Sequence, residues 1–232
     1  MAKLVDRLSA VAFDLDGTLV DSLPDLAAAA NATLAALGRP ALPEDAIAAM
    51  VGDGIDTLVE RALAATGATP STATTLAVAR TLFRQQYAAC LFNASRVYPG
   101  VSEGLRALSD RGLPLACITN KASAFTLPLL DAAGLASSFA LTLCADRADQ
   151  KKPRPDLLLD ACARFAIAPA ALLYVGDGTA DLGAARAAGC PMAAVDYGYG
   201  DPMQLAAADW RIGSLTDIAA LRDNRRAAAA RA

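Results

Sequence analysis

Apolar residues along the chain fall into two patterns. Short unbroken runs of strand length occur at 10–14, 115–118, 140–144, 172–175 and 192–195. They lack the polar alternation of a half-exposed strand, so they predict strands with both faces covered. Between them, helical spacing predicts helices over 101–109, 124–133, 156–165 and 181–188. Strands alternating with helices predict an α/β fold with a doubly wound, Rossmann-like parallel sheet.

From about 22 to 95 the rhythm changes. This stretch is rich in Ala and Leu, predicts helices over 25–37, 55–65 and 74–90, and carries no convincing strand. The expected organisation is a core domain made of 1–21 and 96–232, with an all-helical cap domain, 22–95, inserted after the first strand. An insertion there sits over the sheet edge and can act as a lid. The Ala- and Arg-rich segment after Asp223 is expected to be a frayed helix end or disordered.

Ligands of open α/β sheets bind outside the carboxyl ends of the strands. Here those ends deliver Asp14 and Asp16, then Thr119 and Asn120, then Asp177 with Asp181 shortly after. Lys152 lies in the loop after the third strand. Four carboxylates converging on one edge are costly without a cation. Two like charges about 4 Å apart repel by roughly 4 kcal/mol at an effective dielectric near 20. A hard divalent cation with oxygen ligands resolves this, and Lys152 and Thr119 beside it suit phosphate oxygens.

Composition narrows the chemistry further. The chain of 232 residues has no histidine, which excludes Ser-His-Asp and Cys-His nucleophilic catalysis and the usual imidazole zinc sites. Its five cysteines are widely separated without a C-x-x-C pair, so free thiols are expected and magnesium is preferred to zinc. A net charge of −3 with no basic stripe argues against nucleic acid. The apolar run at 8–13 is too short for a signal peptide and no segment reaches membrane-spanning length, so a cytoplasmic protein is expected. Gly176-Asp-Gly178 opens like a dinucleotide turn, but Asp181 occupies the third glycine position. A nucleotide cofactor is therefore not expected.

Asp14-Leu-Asp16-Gly17-Thr18 resembles the first motif of the haloacid-dehalogenase superfamily. Thr119-Asn120 resembles its second, Lys152-Pro153 its third, and Gly176-Asp177-Gly178-Thr179-Ala180-Asp181 its fourth. Within that superfamily the closest likeness is to the phosphoglycolate phosphatases. It rests on Gly52-Asp53-Gly54 with Leu58-Val-Glu-Arg61, Tyr98-Pro99-Gly100-Val101, Ile118-Thr-Asn-Lys121, Lys151-Lys-Pro-Arg-Pro155 and Tyr197-Gly-Tyr199.

The resemblance implies Mg²⁺-dependent hydrolysis of a small phosphorylated metabolite, 2-phosphoglycolate, through an aspartyl-phosphate. Asp14 would be the nucleophile and Asp16 the acid and base, also offering its backbone carbonyl to the metal. Thr119, Asn120 and Lys152 would bind the phosphoryl group, Asp177 and Asp181 the metal, and Gly52, Asp53 and Gly54 would contact substrate from the cap. Two positions depart from the family pattern, with Asp53 in place of asparagine and Gly178 in place of serine. Arg61 or Arg96 would be candidates to offset Asp53. A sugar-phosphate phosphatase or mutase is the alternative, ahead of a dehalogenase or a binding scaffold, both of which Asp16 argues against. A monomer and a homodimer are both compatible with the sequence.

Overall fold

The computed structural model describes residues 4–67 and 72–221; the segment after Asp223 lies outside them. In chain order the strands are β1 (Ala10–Phe13), β2 (Val20–Asp21), β3 (Arg96–Val97), β4 (Leu115–Thr119), β5 (Leu141–Cys144), β6 (Leu172–Gly176), β7 (Met192–Val195) and β8 (Trp210–Ile212). The helices are α1 (Leu23–Ala36), α2 (Glu44–Ala48), α3 (Ile55–Thr66), α4 (Ala73–Cys90), α5 (Val101–Ser109), α6 (Ser123–Ala132), α7 (Asp156–Phe165) and α8 (Thr179–Ala188).

Six strands form one parallel sheet in the order β5-β4-β1-β6-β7-β8. The chain runs outward from β1 to β5 on one side, then crosses back to β6 and runs outward again. The carboxyl ends of β4, β1 and β6 thus meet at the reversal, where open α/β sheets bind ligands.

The unbroken apolar runs have a direct cause. Val11 and Phe13 enter one apolar cluster while Ala10 and Ala12 enter another on the opposite face. Cys117 and Val175 share the first cluster, Ala116 and Tyr174 the second. Both faces are dry, so neither parity of position is left for polar residues.

Three elements escape the apolar pattern for physical reasons. β8 is an edge strand with Arg211 exposed between buried Trp210 and Ile212, so its pattern is not uniformly apolar. β2 and β3 are two residues each and pair antiparallel where the chain leaves and re-enters the sheet domain. α2, at five residues, is too short to show helical periodicity.

The helices α1 to α4 carry a third apolar cluster of their own, including Leu26, Leu34, Leu63, Phe83 and Tyr87, with Phe125 of α6 joining it. Small residues on α1 (Ala27, Ala29, Ala30) let it lie close against α4. Among the described residues between β2 and β3 there is no strand, as the Ala- and Leu-rich spacing predicts. All five cysteines are free. No helix among the described residues is long and apolar enough to cross a membrane.

Candidate active site

Asp14 directly follows β1, its N–H donating to Val175 O of the neighbouring strand at 2.9 Å. The next turn reverses on Gly17, whose φ of +82° is the left-handed region that a side chain resists. Asp16 and Thr18 then project from the turn to opposite partners. The Thr18 hydroxyl donates to Asp177 Oδ1 at 3.0 Å, while Asp16 accepts Lys121 Nζ at 2.9 and 3.0 Å and the Ser22 hydroxyl at 2.5 Å.

Lys152 is buried at the centre of the cluster. Its ammonium lies 2.8 Å from Asp14 Oδ1 and donates to Asp181 Oδ1 at 2.6 Å, to the Tyr174 hydroxyl at 2.9 Å and to Ile118 O at 3.3 Å. Burial opposes its charge, but Asp14 and Asp181 outweigh burial and hold it above the ordinary lysine value. Asp181 receives further bonds at its other oxygen from the N–H groups of Asp177 and Gly178, closing the first turn of α8. Asp177 Oδ2 accepts Tyr199 N–H at 2.8 Å.

Carboxylate oxygens of Asp14, Asp177 and Asp181 lie within 4.8 Å of one another, all three residues buried. Burial, reinforced by Asp181, pushes Asp14 up to about 7 against the pull of Lys152. Burial, Asp181 and Asp14 push Asp177 up to about 8, partly offset by Tyr199 N–H and Thr18. Asp14 Oδ1 is also a buried oxygen with no hydrogen bond of good geometry, since Lys152 approaches it as a charge while donating elsewhere. Three converging carboxylates, buried together, fit a hard divalent cation such as Mg²⁺. The Asp16 side chain stands outside this cluster, with its oxygens taken by Lys121 and Ser22.

Asn120 ties three segments together. Its amide nitrogen donates to Gly52 O at 2.9 Å and to Lys152 O at 3.1 Å, and its oxygen accepts Lys152 N–H at 2.8 Å. Both side-chain donors are thus taken by backbone, and none is left for a phosphoryl oxygen. Thr119 ends β4, buried, with its hydroxyl accepting Lys121 N–H at 3.1 Å.

The turn carrying Gly52, Asp53 and Gly54 closes the site from the helical side. Gly52 is held by Asn120, and Asp53 O accepts Lys151 Nζ at 2.8 Å. The Asp53 carboxylate is bonded to Arg61 at 2.5 Å, both half exposed, so Arg61 neutralises the charge that departs from the family pattern. Arg96 instead bonds the carbonyls of Asn93 and Ser95 and does not line the cleft. A cleft of about 380 Å³ opens over Asp14, Asp16, Asp177 and Asp181, with Asp53, Arg61 and Tyr199 on its rim.

The residues singled out from the sequence lie at this edge, with the exception of Arg96. Lys121, Ser22 and Tyr199 were not singled out, although Lys121 and Tyr199 stand inside strings that resemble the family's. The Tyr199 hydroxyl accepts the N–H groups of Ser22 and Leu23, anchoring the start of α1. Lys121 and Tyr199 act on partners more than 100 positions away, which no local pattern reveals.

Comparison with known proteins gives a consistent result. The family model for haloacid dehalogenase-like hydrolases matches residues 8–189. The phosphoglycolate phosphatase of Nitrosospira multiformis is 47% identical over 194 residues, covering 84% of this chain and 86% of that protein. That of Thiobacillus denitrificans is 42% identical over 214 residues, covering 91% and 94% respectively. The crystal structure of a predicted phosphoglycolate phosphatase from Haemophilus somnus 129PT matches with a TM-score of 0.87 at 34% identity, covering 91% of this chain and 96% of that one.

Proposed function

The chain belongs to the haloacid dehalogenase-like hydrolases and is a phosphoric monoester hydrolase; from that premise we propose that it hydrolyses 2-phosphoglycolate, with Mg²⁺, through an aspartyl-phosphate on Asp14. The observation that carries this reading is the buried Asp14 carboxylate at the foot of the cleft, its Oδ1 2.8 Å from the Lys152 ammonium.

In this reading Asp14 attacks phosphorus while the phosphoryl oxygens lie against Lys152 and the Thr119 hydroxyl. The bond from phosphorus to the glycolate oxygen breaks, and that oxygen takes its proton from Asp16. Asp16, now a carboxylate, removes a proton from water, which attacks the aspartyl-phosphate and releases inorganic phosphate. Asp14 is thereby regenerated and Asp16 is again protonated. Asp14, Asp177 and the backbone carbonyl of Asp16 would hold the metal, with Asp181 behind them. Mg²⁺ bound there supplies positive charge that relieves carboxylate repulsion and draws charge from the phosphoryl oxygens. The Gly52-Asp53-Gly54 turn, pinned by Asn120 and Lys151, covers the site from the cap side. The helical segment 22–95 serves as the cap domain that must lift for substrate to enter.

The test is phosphate release from a panel of small esters with and without Mg²⁺. Preference for 2-phosphoglycolate, abolished by chelation, is the expected result. Magnesium-dependent release that favours a sugar phosphate would keep the chemistry and reject the substrate. Release unaffected by chelation would overturn the role of the metal.

A further inference from the structure

Lys121 lines the same cavity as the acid/base residue Asp16. Its side chain is only 2% exposed, its ammonium contacts both oxygens of Asp16, and it lies 4.7 Å from the centre of the Tyr87 ring. Burial alone would favour the neutral amine, but Asp16 outweighs it and holds Lys121 above the ordinary lysine value. A buried cation of this kind is costly unless an anion faces it.

Together with Asp14, Asp16, Thr119, Asn120, Gly52 and Gly54, Lys121 lines an inner cavity of about 30 Å³. The rest of the wall is apolar, formed by Leu26, Val51, Ile55 and Leu58. Such a space admits one or two water-sized groups, enough for a carboxylate and too little for a sugar ring. Lys121 is the one cation on its wall.

Arg61 and Lys151, the cations bonded to Asp53, are differently placed. Arg61 is half exposed and bonded to the Asp53 carboxylate and to Met50 O. Lys151 donates to Asp53 O. Neither lines the inner cavity, and a solvent-screened charge that already has a partner discriminates weakly between ligands.

An ammonium has three donors, and Asp16 accepts two of them. An anion entering beside Asp14 would compete with Asp16 for those donors. We propose that Lys121 selects phosphate esters that bear a short carboxylate: its ammonium binds the substrate carboxylate and loosens its hold on Asp16, leaving an Asp16 oxygen to meet the leaving oxygen. This inference rests on the reading of Asp14 as nucleophile and Asp16 as acid and base. It makes carboxylate recognition a condition for productive placement of Asp16, so an ester without a carboxylate leaves the Lys121–Asp16 pair closed.

The experiment compares kcat and KM, with saturating Mg²⁺, for 2-phosphoglycolate, its carboxyl methyl ester and ethyl phosphate. Wild type, Lys121→Met and Lys121→Arg are measured side by side, with circular dichroism to confirm folding. Wild type is expected to favour 2-phosphoglycolate over ethyl phosphate by about 100-fold or more in kcat/KM, with the methyl ester behaving like ethyl phosphate. Lys121→Met is expected to slow 2-phosphoglycolate far more than ethyl phosphate, for which the closed pair no longer holds Asp16, and to reduce the preference to about five-fold or less, with kcat carrying part of the loss. Lys121→Arg, which keeps the charge, should recover part of the preference. If Lys121→Met keeps the wild-type ratio, the inference is overturned while the substrate reading stands. A wild type that hydrolyses these esters without preference overturns the substrate reading itself. Should Lys121→Met not fold, the methyl ester decides: in wild type, hydrolysis of it as fast as of the acid would also overturn carboxylate selection.

Discussion

The Thr18 hydroxyl donates to Asp177 Oδ1 at 3.0 Å, joining the turn after β1 to the turn after β6 across 159 positions of sequence. The approach is close because Gly17 and Gly198 have no side chains. A Cβ at Gly17 would sit 2.3 Å from Asp177 Oδ2, and one at Gly198 would sit 2.2 Å from Asp177 Cβ.

Gly17→Ala therefore meets both a steric block and a φ of +82°. The expected outcome is a loss of about 1–3 kcal/mol in stability, with weaker Mg²⁺ binding because Asp177 is displaced. Denaturant unfolding and a titration of melting temperature against Mg²⁺ check the two effects. Unchanged values in both would show that the turn has room the geometry denies.

Lys152→Met removes the cation from between Asp14 and Asp181. Breaking a buried ion pair by removing one partner costs about 3–5 kcal/mol, and that loss is expected in chelator-treated protein. Mg²⁺ should restore a part of it, since the metal offsets the same carboxylates. A variant as stable as wild type without metal would mean that these carboxyls are held neutral.

Stability without metal should fall as pH rises. Asp14 and Asp177 are pushed up to about 7 and 8, so the folded state binds protons that the unfolded state releases near pH 4. For acids raised in this way, the stabilising contribution is complete below about pH 4 and is lost as pH climbs through the folded values. The melting temperature of chelator-treated protein should drop between about pH 4 and pH 8, and Mg²⁺ should raise it more at the upper end. A flat profile in the absence of metal would contradict the raised carboxyls.

Asp14→Asn keeps the shape of the side chain and removes the attacking oxygen. Turnover of 2-phosphoglycolate should fall by about three orders of magnitude or more, with circular dichroism unchanged. Removing one of three crowded carboxylates should also raise the metal-free melting temperature at about pH 8. Near-normal phosphate release by this variant would remove Asp14 from the role of nucleophile.

The sequence by itself determined the parts that depend on short stretches of chain. Apolar runs closed by Asp14 or Gly176, and the turn glycine at Gly17, are local requirements, so the main strands and the motifs at their ends are legible in the sequence. Their convergence also followed, because right-handed βα crossovers bring strand ends to one edge of a parallel sheet. Pairings between distant side chains arise only in the folded chain. Lys121 with Asp16, Asn120 with Gly52 and Lys152, and Tyr199 with the start of α1 each join residues from separate elements. The neutralising partner of Asp53 proved to be Arg61, two helical turns along α3, and the sequence left it level with Arg96. Edge strand β8 was likewise decided by its neighbour β7, since a half-exposed three-residue strand has too little apolar pattern to declare itself. A short segment carries the torsional preferences of its own residues, whereas a charge finds its partner only once strand order and helix docking have set the distance between them.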